Sequence, residues 1–252
     1  MKRMSRTVLS CGIIAASVTG AVTSCSSSDT SVAPTTSSSV TTTAAVPSTS
    51  ALPPSTPDSE RALFDAVDRN DPAAITAALG AGANIEARGE DERTPLVEAT
   101  KNNSVAAAST LILAGADVNA KDSMQDSAFL YSGAEGLSEI LALTLTHGAD
   151  VDSVNRYGGT ALIPASEHAH VETVRMLIAA GVPVDHVNDP GWTALLEAVV
   201  YGDGSARYVD VITQLLDAGA DPSIRDASGK TALDNAESRG QTDVVALLQS
   251  RS

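Results

Sequence analysis

His168-Ala169-His170 sets two imidazoles two positions apart, a spacing that could offer two nitrogens to a metal ion. On a helix they would point apart, so no metal site is expected. Gly202-Asp203-Gly204-Ser205 resembles the opening of a calcium loop, but the repeated acids and the distal Glu that complete such a loop are missing. Glu98 and Glu197 sit in similar settings, Leu96-Val97-Glu98-Ala99 and Leu195-Leu196-Glu197-Ala198. A carboxylate pair can do acid–base work, but these two stand three repeats apart in the pattern described below. They are expected as solvated or partner-binding carboxylates. The chain has no nucleophile elbow, no Gly-rich phosphate loop ahead of a helix and no paired-His helix motif. No catalytic residue, metal ligand or cofactor is therefore assigned, and the protein is expected not to be an enzyme.

Recognition is a better reading of the remaining chemistry. The chain has seven aromatic residues, and six lie between Phe129 and Tyr208: Phe129, Tyr131, Tyr157, Trp192, Tyr201 and Tyr208. Trp, Tyr and Arg on a presented surface are the usual anchors of an interface. Residues 58–252 carry 13 Lys and Arg against 30 Asp and Glu, a net of −17. Such a surface repels phosphate, which argues against nucleic acid and anionic lipid as partners and favours basic ones. Neither cysteine, Cys11 or Cys25, lies in that body. This excludes a disulfide framework, a thiolate metal site and a thiol nucleophile there.

The N-terminal segment reads as an address. Lys2, Arg3 and Arg6 precede an apolar stretch from Val8 to Val22, and Val22-Thr23-Ser24-Cys25 closes it. The tetrapeptide resembles the bacterial lipobox, which implies cleavage after residue 24 and lipidation of Cys25. The multiple acyl chains of that family are what stable anchoring requires. Residues 26–57 contain ten Ser, eight Thr and five Pro, a composition that cannot bury enough apolar surface to offset chain entropy. The stretch 25–58 is thus expected as a disordered tether, spanning about 30–35 Å r.m.s.. It holds the body off a membrane on the extracytoplasmic side.

The body that positions the candidate residues is one unit repeated. Gly-Ala-Asx recurs at Gly82, Gly115, Gly148 and Gly219, with a degraded copy at Gly181-Val182-Pro183, at spacings of 33, 33, 33 and 38. A second marker runs at the same spacings: Thr94-Pro95-Leu96, Ser127-Ala128-Phe129, Thr160-Ala161-Leu162, Thr193-Ala194-Leu195 and Thr231-Ala232-Leu233. Thr94 and Thr160 can each cap a following helix. Pro95 suits a first helical turn. Val174, Leu177 and Ile178 share one helical face, and Gly115 sits where a left-handed residue ends a helix. Each unit is too small to cover its own apolar face, so the units must stack.

These markers resemble the ankyrin repeat. The resemblance implies an all-α solenoid of about six helix–turn–helix repeats with short β-hairpin loops over 59–252. The repeats are bounded at about 59–88, 89–121, 122–154, 155–187, 188–225 and 226–252. The fifth carries five extra residues near Asp203 to Arg207, between its helices. The consensus histidine of the first helix is replaced by Val97, Leu130, Ile163, Leu196 and Asp234. His170 matches the structural histidine of the second helix, and Tyr208 takes that place in the fifth repeat. His168 and His186 are expected to be exposed, and His147 to sit at a helix end that favours a cation.

In ankyrin proteins, partners dock on hairpin tips and on exposed positions of the first helices. Carried over, this implies a partner surface of Met124, Tyr131, Arg156, Tyr157, Glu167, His168, Trp192, Glu197 and Tyr201. One row of it reads Glu98, Tyr131, Pro164, Glu197 and Asn235. The expected function is a non-enzymatic scaffold, monomeric and lipid-anchored, holding a protein partner in the bacterial cell envelope. A second reading places a small ligand or a hydrolytic step in the groove of repeats 4 and 5, using Glu197, His168, Asp203 and Trp192.

Overall fold

The computed structural model describes residues 53–251. These residues form one compact unit that contains every described helix and both hydrophobic cores, the property of a domain that folds by itself. The export signal, the lipobox with Cys25 and the tether up to residue 52 lie outside the described residues.

The repeats appear as six helix pairs: α1 (Pro57–Asp68) with α2 (Pro72–Gly80), α3 (Pro95–Lys101) with α4 (Val105–Leu113), α5 (Ala128–Ala134) with α6 (Ser138–Thr146), α7 (Leu162–Glu167) with α8 (Val171–Ala179), α9 (Ala194–Val200) with α10 (Ala206–Asp217), and α11 (Ala232–Arg239) with α12 (Thr242–Gln249). α1 opens at Pro57, ahead of the start expected at 59. The odd-numbered helices pack on one another in a first row and the even-numbered ones in a second. One core runs through the early repeats around Leu63, Leu96, Leu111 and Ile140. A second runs from Phe129 through Leu162, Leu195 and Ile212 to Leu248. Phe129, in the consensus leucine place, is completely buried. In the last helix only Val244 and Leu248 are buried, which leaves the wetted outer face a terminal repeat needs.

The repeat markers act as the chemistry of their residues requires. Gly82, Gly115, Gly148, Gly181 and Gly219 all have φ between 86° and 97°, the left-handed conformation that ends a helix. Thr94, Ser127, Thr193 and Thr231 each accept a hydrogen bond from the backbone N–H three residues on.

Thr160 departs from this expectation: its hydroxyl is buried without a partner. The cause is Pro164. In the other repeats the residue at that place donates its N–H to the capping residue's carbonyl, as Glu98 does to Thr94. Pro164 has no N–H, so Ile163 N–H bonds to the Thr160 carbonyl at 3.2 Å instead, and the hydroxyl is left idle.

Two further corrections concern the loops. No strand occurs among the described residues, so the expected β-hairpins are turns. In the four that open on an Asx residue, two backbone bonds close the turn, as from Asn155 N–H to Gly159 O with Gly158 N–H to Asn155 O, and from Asn188 N–H to Trp192 O with Gly191 N–H to Asn188 O, and the Asx side chain adds to them. The Oδ1 atoms of Asp122, Asn155 and Asp226 each accept two backbone N–H groups, and Asn188 Oδ1 accepts that of Trp192. Satisfied this way, a loop needs no ladder. The five extra residues of repeat 5 are also not simply a loop, because Ala206 to Tyr208 add a turn to the start of α10. That turn is fixed to the end of α7: Tyr208 Oη donates to Glu167 O at 2.8 Å, and Arg207 donates to Ala169 O at 2.8 Å.

Candidate partner-binding face

Every turn between the repeats leads into an odd-numbered helix, so turn tips and first-row helices share one face. The row expected from sequence is in register: Glu98, Tyr131, Glu197 and Asn235 each donate an N–H to the carbonyl of their helix-capping residue. Their side chains meet the turns. Arg93 pairs with Glu98 at 3.2 Å, and Asn235 donates to Asp226 at 3.0 Å.

Two cavities open on this face. The one between repeats 3 and 4, about 420 Å³, is lined by Met124, Tyr131, Arg156 and Tyr157 together with Lys101 and Asp126. The Lys101 ammonium lies 4.4 Å from the centre of the Tyr131 ring, and the Arg156 guanidinium 4.7 Å from that of Tyr157. Burial acts to lower the Lys101 pKa, but hydrogen bonds and charge from Asp126 and Asp122 outweigh it and hold the ammonium charged. Burial, then the Glu135 charge, raises the Tyr131 phenol. Met124 and Tyr157 are exposed despite their size, at 42 % and 54 %.

The second cavity, about 290 Å³, lies between repeats 4 and 5. Tyr157, Pro164 and Pro190 form its walls, and Glu167 and Glu197 line it. Tyr157 therefore borders both cavities. Of the two expectations for Glu197, solvated or partner-binding, burial removes the first: it is only 8 % exposed. Asn188 Nδ2 donates to its Oε1 at 2.9 Å. Burial, followed by the neighbouring charge of Glu167, pushes its pKa up to about 7, against the lowering effect of the Asn188 bond.

The other candidates fall elsewhere. Trp192 and Tyr201 pack on each other with ring centres 6.0 Å apart, Trp192 half-buried against the core and Tyr201 exposed. His168 is exposed as expected, but its ring does not point away from that of His170. Ala169, at φ 49°, turns the chain between α7 and α8 and brings the ring centres to 5.7 Å. Burial, then His168, lowers the His170 pKa. His186 is half-buried, not exposed, and bonds Gly158 O through Nε2 at 2.6 Å. His147 caps the end of α6, its Nδ1 2.8 Å from Leu143 O. Asp203 Oδ1 accepts from Ser205 N–H, so the calcium-like loop is a turn closed on itself. Of the four residues in the hydrolytic reading, only Glu197 lines the second cavity; His168, Asp203 and Trp192 do not join it there. No group of three metal-ligating side chains occurs among the described residues.

The family model for ankyrin repeats matches residues 127–226 in three copies, and the single-repeat model matches 91–123. An ankyrin repeat domain from Acinetobacter baumannii AYE, solved by crystallography, is 52 % identical. That match covers 75 % of this chain and 96 % of the other, with a TM-score of 0.73. The chain belongs to the ankyrin repeat family. A second ankyrin repeat protein of known structure is 40 % identical over 75 % of this chain and 97 % of its own, with a TM-score of 0.72. No curated protein matches the chain. In this ankyrin domain the sequence missed Asn188, Lys101 and Arg93 as parts of the face. A signal for the first was present: Asp122, Asn155, Asn188 and Asp226 recur at 33, 33 and 38, the spacing of the other markers.

Proposed function

We propose that this ankyrin protein is a non-enzymatic scaffold that holds a protein partner on the face formed by the turn tips and first-row helices of repeats 3 to 5. The observation that carries this reading is the pair of adjacent cavities sharing exposed Tyr157, with Met124, Tyr131 and Arg156 around one of them. Both cation–aromatic stacks lie there, and such groups give large rigid contact area at small entropic cost. The N-terminal signal, Cys25 and the Ser/Thr/Pro-rich segment support display on the outer side of the cell membrane through a lipid anchor. The test is capture of an envelope protein by Ser50–Ser252. Met124→Ala with Tyr157→Ala should abolish capture without lowering the unfolding midpoint, since both side chains are exposed. Undiminished capture would refute the reading.

A further inference from the structure

The cavity between repeats 4 and 5 has features that a general docking face does not require. Glu197 is more than nine-tenths buried, yet its carboxyl lines an open cavity. Its polar neighbours are the Asn188 amide and the Glu167 carboxyl, and neither acid is ion-paired among the described residues. Several carboxylates on the same face are instead ion-paired, Asp122 and Asp126 with Lys101 and Glu98 with Arg93, although Glu135 at the neighbouring cavity is not. The walls are an aromatic ring and two prolines, surfaces suited to the methylene stem of a long side chain.

We propose that this cavity receives a lysine or arginine side chain of the partner protein, its charged head between Glu167 and Glu197 and its stem against Tyr157, Pro164 and Pro190. This rests on the docking reading above and specifies the partner's chemistry. Two carboxyls side by side in a partly dry site disfavour double ionisation, and a guest cation relieves that repulsion. Below about pH 7, where Glu197 holds its proton, entry of the cation displaces that proton to solvent, so one positive charge enters as another leaves; above it the carboxylate is already ionised and receives the cation directly. α9 packs against α7, α10 and α11. Glu167 on α7 acts on Glu197 through its charge and a side-chain hydrogen bond, and no ion pair reaches Glu197 from α10 or α11. With its carboxyl titrating at about 7, cation binding must weaken as pH falls through that value.

The experiment titrates isotope-labelled Ser50–Ser252 with blocked tripeptides, Gly-Lys-Gly, Gly-Arg-Gly and the uncharged Gly-norleucine-Gly, following amide resonances by NMR. At pH 8 the Lys and Arg peptides should shift Asn155, Tyr157 and Asn188, with dissociation constants of about 1 mM. The norleucine peptide should bind at least roughly tenfold more weakly, and binding of the basic peptides should fall roughly tenfold at pH 5.5. Glu167→Gln and Glu197→Gln, which keep the shape of the cavity, should each abolish the shift at unchanged fold. Equal binding of the norleucine peptide, no shift at saturating Lys or Arg peptide, or tighter binding of free putrescine than of the peptides would each overturn the assignment. The docking face is tested separately. A partner lost by Tyr157→Ala but retained by the Glu167→Gln/Glu197→Gln double variant would refute the cation pocket and leave the face intact.

Discussion

Asn188 and Glu197, nine positions apart, are joined by a 2.9 Å hydrogen bond that ties a turn tip to the first-row helix behind it. One repeat later the same two places hold the reversed pair, Asn235 donating to Asp226 at 3.0 Å. The connection is structural in both. In repeat 5 it also holds a buried acid at the edge of a cavity, and this has a consequence for stability.

The Glu197 carboxyl titrates near 7 in the folded chain against an ordinary value of 4.5. The folded state therefore holds more protons than the unfolded one between these values. This contribution to stability is complete below about pH 4.5 and is lost as pH rises through about 7. Glu197→Gln removes the loss. The variant should be more stable than the parent at pH 8 by on the order of 2–3 kcal/mol and little changed at pH 4.5. Urea melts at the two pH values check this; equal differences at both would contradict it.

Gly136 has φ 72°, and a Cβ there would lie 2.6 Å from His170 Nδ1 of the next repeat. Gly136→Ala combines left-handed strain with displacement of a half-buried ring and should destabilise by roughly 2–3 kcal/mol. Gly115, at φ 97° with open space around it, provides the contrast. Its Ala variant should lose only the backbone part, about 1 kcal/mol. Thermal melts of the two variants measure the difference.

Thr94 and Thr160 hold equivalent places but not equivalent bonds. Thr94→Val removes a working cap and should cost about 1 kcal/mol. Thr160→Val removes a buried hydroxyl that has no partner, and should be neutral or stabilising. If both variants lose equal stability in urea melts, the Pro164 account is wrong.

The extra turn of α10 holds the end of α7, where Glu167 lies. Tyr208→Phe removes the donor to Glu167 O and should cost about 1 kcal/mol. Hydrogen exchange should speed up locally, from His168 to His170 and from Asp203 to Tyr208, while Leu195 to Ala198 stay protected.

Periodicity made the solenoid readable: Gly115 and its equivalents are local requirements met in repeat after repeat, as are the capping Thr and Ser residues everywhere but at Thr160. The register of Tyr131, Pro164 and Glu197 on one face followed from it. What stayed hidden depends on contacts between repeats. The burial of Glu197 is decided by Asn188 and by α7 of the preceding repeat, so its own surroundings in sequence look like those of the more open Glu98. Trp192 and Tyr201 read as two separate anchors because nothing local shows that their rings pack together. The five extra residues of repeat 5 could be counted, but their division between loop and helix depends on anchoring by Arg207 and Tyr208 to α7. The idle hydroxyl of Thr160 could be read from Pro164 four positions on, since a missing N–H is a local fact.

The most direct test of the docking face compares capture from envelope extract by three forms of Ser50–Ser252: the parent, Met124→Ala with Tyr157→Ala, and Leu113→Ala. Leu113 is 72 % exposed on α4, in the second row of helices, and serves as the control for the opposite surface. The account predicts a partner bound equally by the parent and by Leu113→Ala and lost from Met124→Ala/Tyr157→Ala, all three unfolding at similar temperatures. A partner lost from Leu113→Ala and retained by Met124→Ala/Tyr157→Ala would contradict it and place recognition on the second row.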